Sequence, residues 1–297
     1  MATKYNQANN NQPNGRWLSI LTYNIQQPLI GGLFHQIFGI HTEKSFLCTE
    51  CLPHATANIG ADIIVFTEAF IGSLRHRLLK LMSQYGYKWS SPVVNHCTDK
   101  HCNGGVVIIS RYPIVRVKHY EFKASSNVDG LAAKGVLYAE IDKHGFRYHL
   151  LATHLNAFYD HRDSAKVARR WQIMELRQFY SELNIPRTEP VFVAGDLNID
   201  NQTREHGVML DLLKTVQPKI QSPTQSTSAQ STSAQYTINI KDNEWARGGL
   251  KNVWLDYILY FKYHLKPSKA INQMIPLKWN DRDLSDHYPV LGLFQFT

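Results

Sequence analysis

The chain has 297 residues, 43% of them hydrophobic and 19% charged, with a formal net charge of +8. That composition excludes a disordered or fibrous chain and supplies apolar material for a sizeable core. The positive surplus favours a polyanionic partner, either nucleic acid or an anionic membrane surface.

Residues 1–16 are rich in Asn and Gln and are expected to be disordered. Residues 17–297 read as one α/β domain. Candidate strands are Leu18–Tyr23, Ile63–Thr67, Val106–Ser110, Val136–Ile141, Tyr148–His154, Val191–Gly195, Leu255–Tyr260 and Val290–Phe296, rich in Val, Ile, Phe and Tyr and mostly bounded by turn residues. Helical spacing links Leu74, Leu78, Leu81 and Met82, with Ser73 as the expected N-cap. Residues 163–183 predict a longer helix whose apolar face runs through Val167, Trp171 and Met174. Val208, Met209, Leu212 and Leu213 predict a short third one. Residues 221–235 form a low-complexity surface loop in which Gln225–Ala229 is repeated as Gln230–Ala234. The basic runs Arg75-His76-Arg77 and Arg169-Arg170 read as solvated helix faces.

No window approaches the roughly 20 apolar residues of a membrane span. The N-terminus lacks the apolar core of a secretory signal. The expectation is a cytoplasmic protein, one whose signal has been removed, or one exported by a leaderless route. Cys48/Cys51 and Cys97/Cys102 are two local pairs with His54, His96 and His101 nearby. They could be a zinc knuckle, two disulfides or free thiols.

The chemistry lies in polar residues that end apolar strands. Asn24 closes Leu21-Thr22-Tyr23, and Glu68 closes Ile63–Thr67. Thr153-His154-Leu155-Asn156 and Gly195-Asp196-Leu197-Asn198 follow two further strands. In an extended chain Asp196 and Asn198 would lie on one side, about 7 Å apart. Asp256 stands alone in an apolar strand, where a buried carboxylate needs a partner such as an imidazole. Leu284-Ser285-Asp286-His287 supplies one. This inventory suits phosphodiester hydrolysis. Glu68, Asn24 and Asp286 offer oxygen to a hard divalent cation. His287 oriented by Asp256 is a base for water. Asp196 and Asn198 position the water and phosphoryl oxygens, and His154 donates to a non-bridging oxygen.

In this order the motifs resemble the endonuclease/exonuclease/phosphatase superfamily over roughly residues 17–297. The resemblance implies a deoxyribonuclease-like four-layer sandwich, two packed mixed sheets flanked by helices. Asp129-Gly130-Leu131-Ala132-Ala133-Lys134, Gly104–Ile114 and Thr153–Ala157 are similar to the neutral sphingomyelinase branch. That branch implies a Mg²⁺-dependent (or Mn²⁺-dependent) hydrolase cleaving sphingomyelin or a related phosphocholine lipid to ceramide and phosphocholine at a membrane surface. In it Asp129 and Lys134 would form a switch beside the active site. A Mg²⁺-dependent endonuclease is the alternative, although no basic and aromatic track for gripping nucleic acid is evident. The apolar face of the insertion Leu29–Ile40 either packs on the domain core or is the membrane-docking segment. The region around Trp279, within Leu265–Asp283, is the second choice.

Overall fold

A computed structural model describes residues 16–27, 50–95, 102–157, 163–221, 236–249 and 251–297. The segment 1–15, the insertion 29–40, Cys48, His96, Cys97, His101 and the repeat at 222–235 lie outside the described residues. In chain order the elements are β1 (Arg16–Gln27), α1 (Leu52–Ile59), β2 (Ile63–Ala69), α2 (Gly72–Gln84), β3 (Trp89–Ser90), β4 (Val107–Ser110), β5 (Ile114–Glu121), β6 (Gly135–Lys143) and β7 (Phe146–His154). Then come α3 (Ser164–Glu182), β8 (Val191–Asp196), α4 (Arg204–Leu213), β9 (Thr215–Val216), β10 (Lys219–Ile220), β11 (Asp256–Phe261), β12 (Lys269–Met274), β13 (Lys278–Trp279), β14 (Arg282–Asp283) and β15 (Val290–Phe296).

Among the described residues the strands form two mixed sheets, ordered β10-β12-β15-β1-β2-β4-β3 and β5-β6-β7-β8-β11-β9, plus the β13–β14 hairpin. Alternation explains the layering. In β1, Leu18 and Ile20 join the core between the sheets, while Leu21, Tyr23 and Ile25 pack outward against Leu52 of α1 and Leu78 and Met82 of α2. On the other sheet Ile173, Leu176 and Phe179 of α3 and Met209 and Leu213 of α4 complete the fourth layer. Aromatic side chains carry much of this core. Phe192 lies 4.6 Å from Phe294 between ring centres, and its truncation to Ala would cost about 3–5 kcal/mol.

Helix ends follow local chemistry in α1. Pro53 occupies its first turn, and Gly60 closes it in the left-handed region at φ 77°. α2 departs from expectation. It begins at Gly72, so Ser73 lies inside the helix, and Ile71 precedes it with no side-chain cap. α3 departs further. Val167, Trp171 and Met174 are 54%, 54% and 42% exposed, and the opposite face is buried. That face includes Ala168, Arg169, Gln172 and Ile173. Arg169 is therefore no solvated charge. It forks onto Glu205 at 2.7 and 2.8 Å and donates to the Asn156 carbonyl at 3.0 Å. Arg75 likewise turns back onto the carbonyls of Ala69 and Phe70.

The strands absent from the sequence reading are mostly short or at an edge. Among the described residues β5 pairs only with β6, and β12 lies in Leu265–Asp283. Trp279, in the hairpin, is half-buried and packs edge-on to His54 with ring centres 5.1 Å apart.

Candidate active site

Topology gathers the polar strand ends. β1 and β2 run parallel, as do β7 and β8. β11 runs antiparallel to β8, and β15 antiparallel to β1. Parallel strands finish, and antiparallel ones begin, at one end of the sandwich. Asn24, Glu68, His154, Asp196 and Asp256 therefore share that end with the turn Ser285–His287 ahead of β15. His154, Asp196 and Asp256 stand abreast, each a register partner of the next.

Two backbone devices aim the side chains. Strict alternation would put Glu68 on the face of Ile64 and Phe66, away from Asn24. Glu68 instead adopts φ 58°, a costly conformation for a non-glycine residue. The turn brings its Oε1 within 3.0 Å of Asn24 Nδ2, which also donates to Asp196 Oδ2 at 3.0 Å. Gly195 permits the second device, the close approach of β8 to β7. A Cβ there would lie 1.8 Å from the Thr153 carbonyl oxygen.

Asp256 opens β11 rather than lying within it, and its Oδ2 accepts from His287 Nδ1 at 2.7 Å. His287 Nε2 faces Asp196 Oδ2 at 3.8 Å. Asp196 and Asn198 do not share an extended face. β8 ends at Asp196, and Asn198 turns into the left-handed region with its N–H on Asp196 Oδ1 at 2.9 Å. The Asx-type turn prevails over strand geometry because Asp and Asn form it readily. It points the Asn198 amide at the Leu155 carbonyl, 3.1 Å away.

Lys134 and Asp129 form a buried ion pair at 3.1 Å, each side chain 2% exposed. Lys134 Nζ also donates to the Leu155 carbonyl at 2.9 Å and approaches His154 Nε2 at 3.3 Å. An ammonium only donates, so the network assigns the His154 proton to Nδ1. That nitrogen is buried with no partner.

Two participants have no role in the sequence reading. Ser285 Oγ donates to the Asn24 carbonyl at 2.7 Å, tying residues far apart in the chain. Gln26 Oε1 accepts the Asp286 N–H at 3.2 Å. Ser285 lies inside a recognisable motif. Gln26 carries no signal, because its aim comes from a left-handed φ of 48° at a break in the β1–β2 register.

The electrostatics are those of crowded carboxylates. Burial, then the charge of Asp256, lifts Asp196 to about 7. Burial, then Asp286, also raises Glu68, which is partly open to solvent. For His287 burial opposes charge, yet Asp256, Asp196 and Asp286 together hold the imidazole well above its usual range. His154 is held well below it by burial, Lys134 and His287. Asp256 Oδ1 is buried without a partner. Uncompensated negative charge among oxygen donors fits a hard divalent cation. Glu68, Asn24 and Asp286 could hold one, and Asp196, Asp256 and His287 bring three more ligand atoms within 4.8 Å of one another. Cys51 and Cys102 are free thiols, and His54 Nδ1 meets Tyr85 Oη at 2.9 Å.

The model of the Endonuclease/Exonuclease/phosphatase family matches residues 21–287. The chain is 33% identical over 260 residues to a sphingomyelinase C of Leptospira interrogans, covering 78% of this chain and 44% of that one. It is 30% identical to a sphingomyelinase C of Listeria ivanovii, covering 78% of this chain and 74% of that one. The chain belongs to the endonuclease/exonuclease/phosphatase family, in its sphingomyelinase C branch. It spans less than half of the Leptospira relative. The crystal structure of a Staphylococcus aureus beta toxin mutant with bound magnesium ions superposes with a TM-score of 0.80 at 22% identity, covering 93% of this chain and 99% of that one. Family membership accounts for the two-sheet architecture and for the shared end at which its polar residues meet.

Proposed function

We propose that this chain is a Mg²⁺-dependent phosphodiesterase of the phospholipase C type, hydrolysing sphingomyelin to ceramide and phosphocholine. The observation that carries the reading is the His287–Asp256 hydrogen bond beside Asp196, in a chain whose relatives are sphingomyelinases. A divalent cation held by Glu68, Asn24 and Asp286 would polarise a phosphoryl oxygen and offset the carboxylate charge around His287. Mn²⁺ has the same ligand preference and is the natural substitute.

The chain's own residues then have distinct tasks. Asp256 orients His287, whose Nε2 takes a proton from water as the water oxygen attacks phosphorus. The bond from phosphorus to the ceramide oxygen breaks, and that oxygen takes up a proton, so water is split across the ester. Asp196 faces His287 Nε2, where the water would sit. Asn198 steers the phosphoryl oxygens, and His154 would donate to one of them once its proton moves from Nδ1 to Nε2, the nitrogen that faces Asp196 at 3.7 Å. The Asp129–Lys134 pair braces the 154–157 segment and positions His154.

A headgroup in a bilayer implies peripheral contact with a membrane surface. Among the described residues no helix is long and apolar enough to cross one. The test is phosphocholine release from sphingomyelin vesicles with Mg²⁺ or EDTA, run beside plasmid DNA and inositol phosphates. Cation-dependent release from sphingomyelin alone supports the proposal. Cleavage of DNA with inert vesicles replaces it with the endonuclease reading.

A further inference from the structure

Eight large apolar side chains are exposed among the described residues, and five of them belong to one flank. They are Val167, Trp171 and Met174 of α3, Val208 of α4 and Tyr263 in the turn after β11. Val167, Trp171 and Met174 recur at i, i+4 and i+7, so they form a stripe on the side of α3 turned from the core. Lys166, Arg170 and Arg177 run beside it, all exposed. Lys166 pairs with Asp163. Among the described residues neither Arg170 nor Arg177 pairs with a carboxylate.

Met174 and Tyr263 also line a cavity of about 530 Å³, together with buried Phe261 and Leu213 and the cations Arg177 and Lys214. An exposed Trp beside guanidiniums that meet no carboxylate, that of Arg177 resting on the Leu212 carbonyl, and beside an apolar hollow is poorly served by water. At the headgroup level of a bilayer the ring is buried, the cations meet phosphate, and the hollow receives apolar chain.

We infer that this flank of α3 docks on a bilayer carrying anionic lipid. The inference rests on the lipid-hydrolase reading for its substrate and adds the surface and the lipid charge. Charge complementarity selects the occupant, since the cations lie along the apolar stripe itself. Docking also bears on the catalytic end. On its buried side the same helix holds Asn156, through Gln172 Oε1 at 2.9 Å and Arg169 Nη1 at 3.0 Å, two residues from His154.

The test is sedimentation with phosphatidylcholine vesicles, with and without phosphatidylserine, beside hydrolysis of a soluble phosphocholine ester. The wild-type chain should bind the anionic vesicles at least about ten-fold more tightly than the neutral ones. Trp171→Ser with Met174→Ser should lose about ten-fold in anionic-vesicle binding and keep its melting temperature and soluble-ester turnover. If that pair of changes unfolds the helix, Arg170→Gln with Arg177→Gln decides, and it should show the same loss. Equal binding to both vesicle types, or undiminished binding by the variants, overturns the inference. So does a change in oligomeric state with vesicle binding intact, which would assign the flank to a second copy. The binding arms read docking even in a chain that hydrolyses neither substrate, so failure of the enzymatic reading is seen separately.

Discussion

Asp196 and Asp256 face each other across the β8–β11 ladder, and one imidazole, His287, answers both. Two buried carboxylates in register repel, and the pair persists because His287 donates to one and faces the other. Removing the imidazole should therefore damage both chemistry and local electrostatics. His287→Ala should lower turnover by roughly 10²–10⁴, with Asp256→Asn impaired in the same direction. Steady-state kinetics on sphingomyelin vesicles check this, and full activity of Asp256→Asn would refute the orienting role.

Glu68 is the carboxylate whose backbone is turned to reach Asn24. Glu68→Gln keeps the size and hydrogen-bonding capacity but removes the charge a cation needs. Turnover should fall by at least about 10² while the circular dichroism spectrum is unchanged. Near-normal activity at saturating Mg²⁺ would show that the ligand lies elsewhere.

Proton and cation should compete. Burial lifts Asp196 from an ordinary 3.8 to about 7, and Glu68 is raised by burial and then by Asp286. A carboxyl raised on folding contributes stability that is complete below its unfolded value and is lost as pH rises through the folded one. Cation binding must displace those protons. Mg²⁺ should raise the melting temperature little at about pH 5 and substantially at about pH 8, with EDTA reversing the gain. A Mg²⁺ shift independent of pH would contradict this.

Lys134 and Asp129 make a pair with almost no solvent contact. Lys134→Met strands the Asp129 charge and should cost about 3–5 kcal/mol in urea unfolding. Adding Asp129→Asn should recover part of that loss. An equally large loss in the double variant would mean that packing, not charge, sets the cost.

Much of the architecture is legible in the sequence where one residue type dominates. Val290–Phe296 appears with the same bounds in pattern and structure, and Ile63–Thr67 falls short by two residues. The outer face of α3 misleads because hydrophobic spacing weighs only apolarity. The face that packs uses Arg169 and Gln172, whose hydrogen bonds reach residues distant in sequence. The site residues are legible as a set because each ends or borders an apolar run. Their aim is not, since the left-handed backbones of Gln26 and Glu68 are conformations that no local preference demands.

The bond from Ser285 to the Asn24 carbonyl has a temporal side. β15 lies in the middle of its sheet, between β12 and β1, so that sheet cannot be completed until this late stretch of chain arrives. During synthesis Glu68 and Asn24 emerge long before His287. A growing chain on the ribosome would therefore lack the His287 imidazole, and on the proposed mechanism it could not yet hydrolyse a phosphodiester.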